Sequence, residues 1–265
     1  MALPPAAPAS ADVGDQAAAP SSGRRARNRL EKERAYLAAA MDIAGRDGLR
    51  ALTMQRLADE VDAAVGTVYT YFPSKGALIA ELQREAIERL TDSYHLIRDR
   101  SDAILVAWTD PVTAAVARLA VFGRFWVASV DTFPQEAAFL HALISESEQM
   151  VPPEEQYRVM PAAVILLNEA RACVAAAADA GAIDDLGGSD PMDVVIRWAA
   201  ALTGVLLTSN LAPLNPRAFD GPRLARILQR DLLLGWGARR AAVDEAEAHV
   251  ADLQADGPLA PPLPE

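Results

Sequence analysis

Three short apolar stripes follow one another between residues 35 and 82, and no other feature restricts the fold of this chain as much. The first belongs to a helix expected from about Arg27 to Asp47, where Leu37, Ala40, Met41 and Ala44 recur at i, i+3, i+4 and i+7. Gly48 supplies the left-handed stop that ends many helices. Thr53 suits an N-cap, because its hydroxyl satisfies an orphan backbone N–H, and it opens a second helix with the stripe Met54, Leu57, Ala58 and Val61. After the break Asp62-Ala63-Ala64, a very short third helix spans Val65 to Tyr71, with Val68 and Phe72 turned inward. Pro73 closes it, since proline pushes the preceding residue out of the helical region and clashes with the turn before it. Ser74 caps a fourth helix carrying Leu78 and Leu82. Two short, tightly joined helices behind a longer one are the layout of a helix-turn-helix.

The stretch Gly66-Thr67-Val68-Tyr69-Thr70-Tyr71-Phe72-Pro73-Ser74-Lys75 carries the chemistry. Gly66 lets the backbone approach a phosphate or base edge. Thr67 offers a hydroxyl and a methyl, the latter suited to a thymine methyl. Tyr69 and Tyr71 present phenols to phosphates, and Lys75 adds a cation beside helix-end amides. The competing reading is a surface helical hairpin packed on another element. The basic run before it, Arg24, Arg25, Arg27, Arg29, Lys32 and Arg34, reads either as an arm for phosphates or a minor groove, or as a solvated helix start.

From about Ala35 to Leu82 the sequence resembles the DNA-binding domain of the TetR family: Thr-x-x-x-Leu-Ala at Thr53 to Ala58, then Gly-Thr-Val-Tyr, then Tyr-Phe-Pro-Ser-Lys and an aliphatic helix. Matched residue by residue, the resemblance puts base and phosphate contacts on Thr53, Gln55, Val65, Gly66, Thr67, Tyr69, Tyr71 and Lys75. The chain departs from the family in its turn, where Asp62-Ala63-Ala64 stands for the usual Gly-Val-Ser, and at Val65, Thr70 and Ala44. The resemblance implies an all-α protein in which a helix-turn-helix domain precedes a helical ligand-binding and dimerisation domain. It also implies a homodimeric repressor on a palindromic double-stranded operator, released by a small molecule.

Taken alone, the net charge of −11 argues against nucleic acid. Its distribution reverses the argument: residues 21–80 hold ten Lys/Arg against seven Asp/Glu, whereas residues 81–265 hold 15 against 27. Charges more than about 10 Å apart are largely screened at ordinary salt, so a basic head can meet DNA beneath an acidic body. The domain expectation is a disordered tail over 1–23, a DNA-binding domain over 24–80, a ligand and dimerisation domain over 81–241, and a bland tail over 242–265, of which Ala241 to Gln254 has the alternative of extending a helix.

From Asp110 onward, helices are expected at roughly 111–130, 134–149, 153–181, 190–212 and 220–241, separated by Pro- or Gly-bearing joints. The large apolar residues gather in the middle: Phe122, Phe125, Trp126, Phe133, Phe139, Tyr157, Met160 and Trp198, with Arg124, His141, Asn168 and Arg171 among them. They form either an ordinary aromatic core or a cavity for an apolar effector, walled by Phe122, Trp126, Phe139 and Trp198 and anchored by Arg124, His141, Asn168 or Arg171. Two seams, Ile196-Ala200-Thr203-Leu207 and Leu224-Ile227-Leu228-Leu232, suit a two-fold four-helix contact of the kind the resemblance implies.

Chemistry-bearing motifs of enzymes are missing. Three scattered histidines give no metal spacing, Cys173 lies in an Ala-rich helix, and no Gly-x-Ser-x-Gly or phosphate loop occurs. A non-enzymatic protein without cofactor or metal is therefore expected, in the reducing cytoplasm to which one cysteine and no signal peptide point. The rival to a regulator is a helical scaffold for a protein partner. The uncharged run Trp198 to Pro216 has the length of a membrane span, but its polar and proline content favours a buried helix.

Overall fold

The computed structural model describes residues 20–137, 139–140, 153–184 and 189–263, and every regular element among them is helical. In chain order these are α1 (Pro20–Asp47), α2 (Met54–Glu60), α3 (Val65–Tyr71), α4 (Lys75–Leu105), α5 (Pro111–Thr132), α6 (Pro153–Asp179), α7 (Pro191–Leu207), α8 (Gly221–Gly235) and α9 (Arg240–Asp256), with 3₁₀ turns at Leu49–Ala51 and Thr208–Leu211.

Local chemistry explains where the helices begin. Thr53, Ser74, Asp110, Asp190 and Asp220 each accept a hydrogen bond from a first-turn backbone N–H. Pro111, Pro191 and Pro222 stand in the first turn behind the three aspartates, where the missing N–H costs nothing. The apolar stripes then choose the packing. Leu37, Ala40, Met41 and Ile43 of α1 meet Leu57 and Ala58 of α2, Val68 of α3, Phe72, and Leu78 and Leu82 of α4 in one buried cluster.

Helix α4 continues from this N-terminal unit into the body. Its 31 residues have no proline and no glycine after Gly76, and they bury Leu78 and Leu82 at one end and Tyr94, Ile97 and Leu105 at the other. The boundary expected at residue 80 therefore falls inside one continuous helix. Helix α5 is the centre of the body, with Leu119, Phe122 and Phe125 all buried and α4, α6, α7, α8 and α9 packed around it.

The helix expected from about Arg27 begins already at Pro20, so the basic run stands on its first turns; residues 1–19 lie outside the described part. The segment from residue 242 onward is not a bland tail. Ala242, Val243, Ala246, His249, Val250 and Leu253 form a buried stripe on α9, and Leu259 and Ala260 beyond it are buried too. Alanine supplies much of that stripe, so it carries little hydropathy in the sequence. It packs because small side chains let α9 lie close against α5.

Candidate nucleic-acid interface

Helix α2 ends in a tight reversal that sets the angle of α3. The Ala63 N–H donates to the Ala58 carbonyl at 2.9 Å and the Asp62 N–H to that of Asp59 at 3.4 Å. This pair of bonds requires a left-handed residue between them, and Asp62 takes that role with φ 48°. Aspartate tolerates this region better than most side chains, which explains how the chain manages without glycine at this turn.

The third helix then presents two unlike faces. Val68 and Phe72 are buried and anchor it, while Gly66, Thr67, Tyr69 and Thr70 are exposed. Tyr69 is 49% exposed, a large aromatic kept on the surface beside Thr67. Thr70 is turned back, its hydroxyl donating to the Thr67 carbonyl at 2.6 Å. Val65 and Tyr71 are half-buried.

Tyr71 packs through its ring. Its ring meets Tyr36 of α1 edge to face at 5.0 Å, and the Arg29 guanidinium lies 5.4 Å over it. Tyr71 thus ties α3 to α1, and Arg29 of the basic run is the cation that covers it. Nothing in the spacing of the sequence announces this pair, which depends on the crossing of α1 and α3. Arg24, Arg25 and Arg27 are exposed on the first turns of α1.

Thr53 caps α2, its Oγ1 accepting from the Arg56 N–H at 3.1 Å, and remains exposed. The exposed Gln55 side chain donates to Asp59 at 2.8 Å. Arg56 pairs with Asp47 at 2.6 Å, joining α2 to the end of α1. Lys75, at the start of α4, donates from Nζ to the Leu49 carbonyl at 3.4 Å, and partial burial lowers its pKa. An ammonium has three donors, so this tie leaves others for a phosphate. Together Thr53, Gln55, Gly66, Thr67, Tyr69 and Lys75 bring hydroxyl, amide, phenol and ammonium groups to the two short helices and the start of α4.

The candidate effector residues separate into two groups. Phe122 packs at 5.5 Å from Trp198, 4.8 Å from Tyr94 and 6.3 Å from Phe125, and Trp198 meets Trp236 at 5.7 Å. Phe139 is buried; Trp126 is half-buried and donates its indole N–H to Thr203 at 3.3 Å. Asn168 and Arg171 sit instead on the exposed side of α6, with Arg171 pairing with Asp190 at 3.4 Å. His141 and the side chains of Tyr157 and Met160 fall outside the described residues. The Trp198 indole N–H is buried among these rings without a hydrogen-bond partner.

Comparison with known proteins assigns the N-terminal part. The profile of bacterial regulatory proteins of the tetR family matches residues 37–82. Over 56 residues the chain is 46% identical to the HTH-type transcriptional repressor KstR of Mycobacterium tuberculosis, a match covering 21% of this chain and 26% of that protein. Over 60 residues it is 37% identical to KstR of Rhodococcus jostii, covering 23% and 28%. The matched part thus spans about a quarter of the curated relatives' length. Solved structures extend the likeness to the whole fold. A regulator from Saccharomonospora viridis in complex with choline aligns over 77% of this chain and 96% of its own at a TM-score of 0.54 and 19% identity. The regulator FadR from Bacillus subtilis in complex with stearoyl-CoA aligns over 75% and 95% at 0.50 and 15%. Residues 37–82 therefore carry the sequence of the tetR family of bacterial regulatory proteins, on an all-α body that shares the fold of the two solved regulators.

Proposed function

We propose that this protein is a transcriptional repressor that binds a palindromic double-stranded operator as a homodimer in the cytoplasm and is released by a small, mainly apolar effector. The observation that carries this reading is α3: a seven-residue helix anchored by Val68 and Phe72, with Gly66, Thr67 and Tyr69 free on its outer face. Such a helix fits a major groove, where Thr67 meets a base edge and Tyr69 and Lys75 meet phosphates. The repressor names of the relatives support the reading.

A dimer is favoured by the face that α7 and α8 leave uncovered. Helix α7 and the turn after it have a hydropathy of 1.5 but only 28% burial, and Ile196, Leu207 and Ile227 are exposed by 54%, 44% and 43%. A second copy would bury this stripe; two recognition helices then read half-sites about 10 bp or a multiple apart. An apolar effector is favoured by the aromatic group around Phe122 and Trp198, whose unpartnered indole N–H offers a bound molecule one donor. The choline and stearoyl-CoA bound by the two structural relatives support small-molecule control in this fold. The role needs no turnover.

The test is selection of bound duplexes from a random library, followed by anisotropy titration of the winning sequence. A two-fold symmetric consensus bound by two chains is expected. Recovery of no consensus, with affinity equal for all duplexes, would leave the helical scaffold as the better reading.

A further inference from the structure

A second cleft lies on the far side of α8 from the exposed Ile227. It has a volume of about 190 Å³ and is enclosed by α5, α8 and α9, with Arg124, Arg226, Gln229, Leu233, Glu247 and Val250 in its wall. It shares no residue with the aromatic group or the DNA-facing helices. Its size exceeds the ~150 Å³ that accommodates a benzene-sized molecule.

The wall is chemically unbalanced. Among the described residues, neither Arg124 nor Arg226 has a carboxylate within 4.0 Å, and Arg124 only donates to the Gln254 amide oxygen at 3.4 Å. Burial lowers the pKa of Arg124, and the neighbouring Arg226 lowers it further, so an anion between them would relieve both costs. Gln229 is 97% buried, its exposure being 3%. It donates to the Leu119 and Ala120 carbonyls at 3.3 and 2.9 Å, yet its Oε1 has no partner. The placement is built in: a Cβ on Gly123 would come within 2.6 Å of that amide, so the glycine makes the room. Glu247, which lies 3.9 Å from Arg230, adds a carboxylate to the same wall, and Leu233 and Val250 an aliphatic surface.

We propose that this cleft binds a free α-amino acid with an aliphatic side chain. Its carboxylate is held by Arg124 and Arg226, its ammonium faces Glu247, and its side chain lies on Leu233 and Val250. Two cations and an anion in one small space complement a zwitterion, whereas a simple acid or amine would satisfy only half of the wall. Because the cleft closes on α9, occupancy would also stiffen that helix against α5.

Calorimetric titration of the full chain at constant ionic strength tests the proposal with three probes: L-leucine, 4-methylpentanoate, which lacks the ammonium, and 3-methylbutylamine, which lacks the carboxylate. Leucine is expected to bind saturably at one site per chain, and each truncated probe at least about tenfold more weakly. Arg226→Gln and Glu247→Gln should each weaken leucine by about tenfold or more, with melting and operator affinity kept, because both side chains reach solvent. The proposal is overturned if leucine gives no saturable heat by about 10 mM, if 4-methylpentanoate matches it, or if Arg226→Gln binds it like the parent. Operator binding in the same samples reports separately on the repressor reading.

Discussion

The Arg100 guanidinium of α4 donates from Nη2 to the carbonyl oxygen of Leu253 at 2.7 Å, fastening the end of α9 to the helix that leads to the N-terminal unit. The same nitrogen reaches the Gly257 and Pro258 carbonyls at 3.3 Å each, and Ser93 donates to Pro261 at 2.7 Å. Arg100 thus adds a second donor to the Leu253 carbonyl, which also accepts the Gly257 N–H at 3.1 Å, and its charge suits the negative end of the helix dipole. A Cβ on Gly257 would meet Arg100 Nη1 at 2.8 Å, so the close approach requires glycine.

Replacing Arg100 by alanine should cost about 1–2 kcal/mol, because charge-assisted hydrogen bonds to part-buried carbonyls are lost. Limited proteolysis read by mass should then cut between α9 and the C-terminus where the parent protein resists. Equal melting and equal protection would show that the tie contributes nothing.

The second prediction concerns acid. His249 is buried, 2.9 Å from the Ser101 hydroxyl and 5.3 Å from the Trp108 ring. Burial lowers its pKa, with Asp252 opposing weakly, so the folded protein favours the neutral ring. A histidine with a depressed folded pKa adds stability above its unfolded pKa of about 6.5, and that stability is lost as pH falls through this value towards the folded one. Between about pH 7.5 and pH 5.5 the parent should therefore lose more melting temperature than His249→Gln. Parallel curves for the two proteins would contradict the assignment.

At the turn before α3, Asp62→Val should destabilise by about 1–2 kcal/mol, because a β-branched residue resists φ near +48°. Asp62→Gly should stay within about 1 kcal/mol of the parent. Denaturant midpoints at unchanged slope would measure both, and an innocuous valine would mean that the turn relaxes freely.

On DNA, Tyr69→Phe and Lys75→Ala should weaken specific and random duplexes alike, and Lys75→Ala should reduce the salt dependence by about one unit of slope per site. Thr67→Val and Gln55→Ala should change which sequences are preferred. Salt-dependent anisotropy separates the roles; a Lys75→Ala protein with altered sequence choice and an unaltered salt slope would reverse them.

For assembly, Ile196→Glu or Ile227→Glu should convert a dimer to monomers in sedimentation, because each puts a charge on the uncovered face of α7 or α8. Little loss of monomer stability is expected, since both side chains are already about half exposed. A parent that sediments as a monomer would remove the motive.

The sequence by itself determined the local events. Caps at Thr53, Ser74, Asp110, Asp190 and Asp220, the stops at Gly48 and Pro73, and the i, i+4 stripes each depend on residues within one helical turn, so they are legible in one dimension. The short second and third helices and the exposed Gly66-Thr67-Tyr69 edge follow from the same rules. Tertiary structure decided what depends on crossings between distant segments. It made Tyr71 a packing residue beneath Arg29 and against Tyr36, turned Asn168 and Arg171 out to solvent, and set Gln229 against the space left by Gly123. It also made the expected C-terminal tail a packed helix, with Ser93, Arg100 and Ser101 holding residues more than a hundred positions away. An alanine stripe has little hydropathy of its own, and a single arginine has no periodicity. Their partners are chosen only when the helices meet.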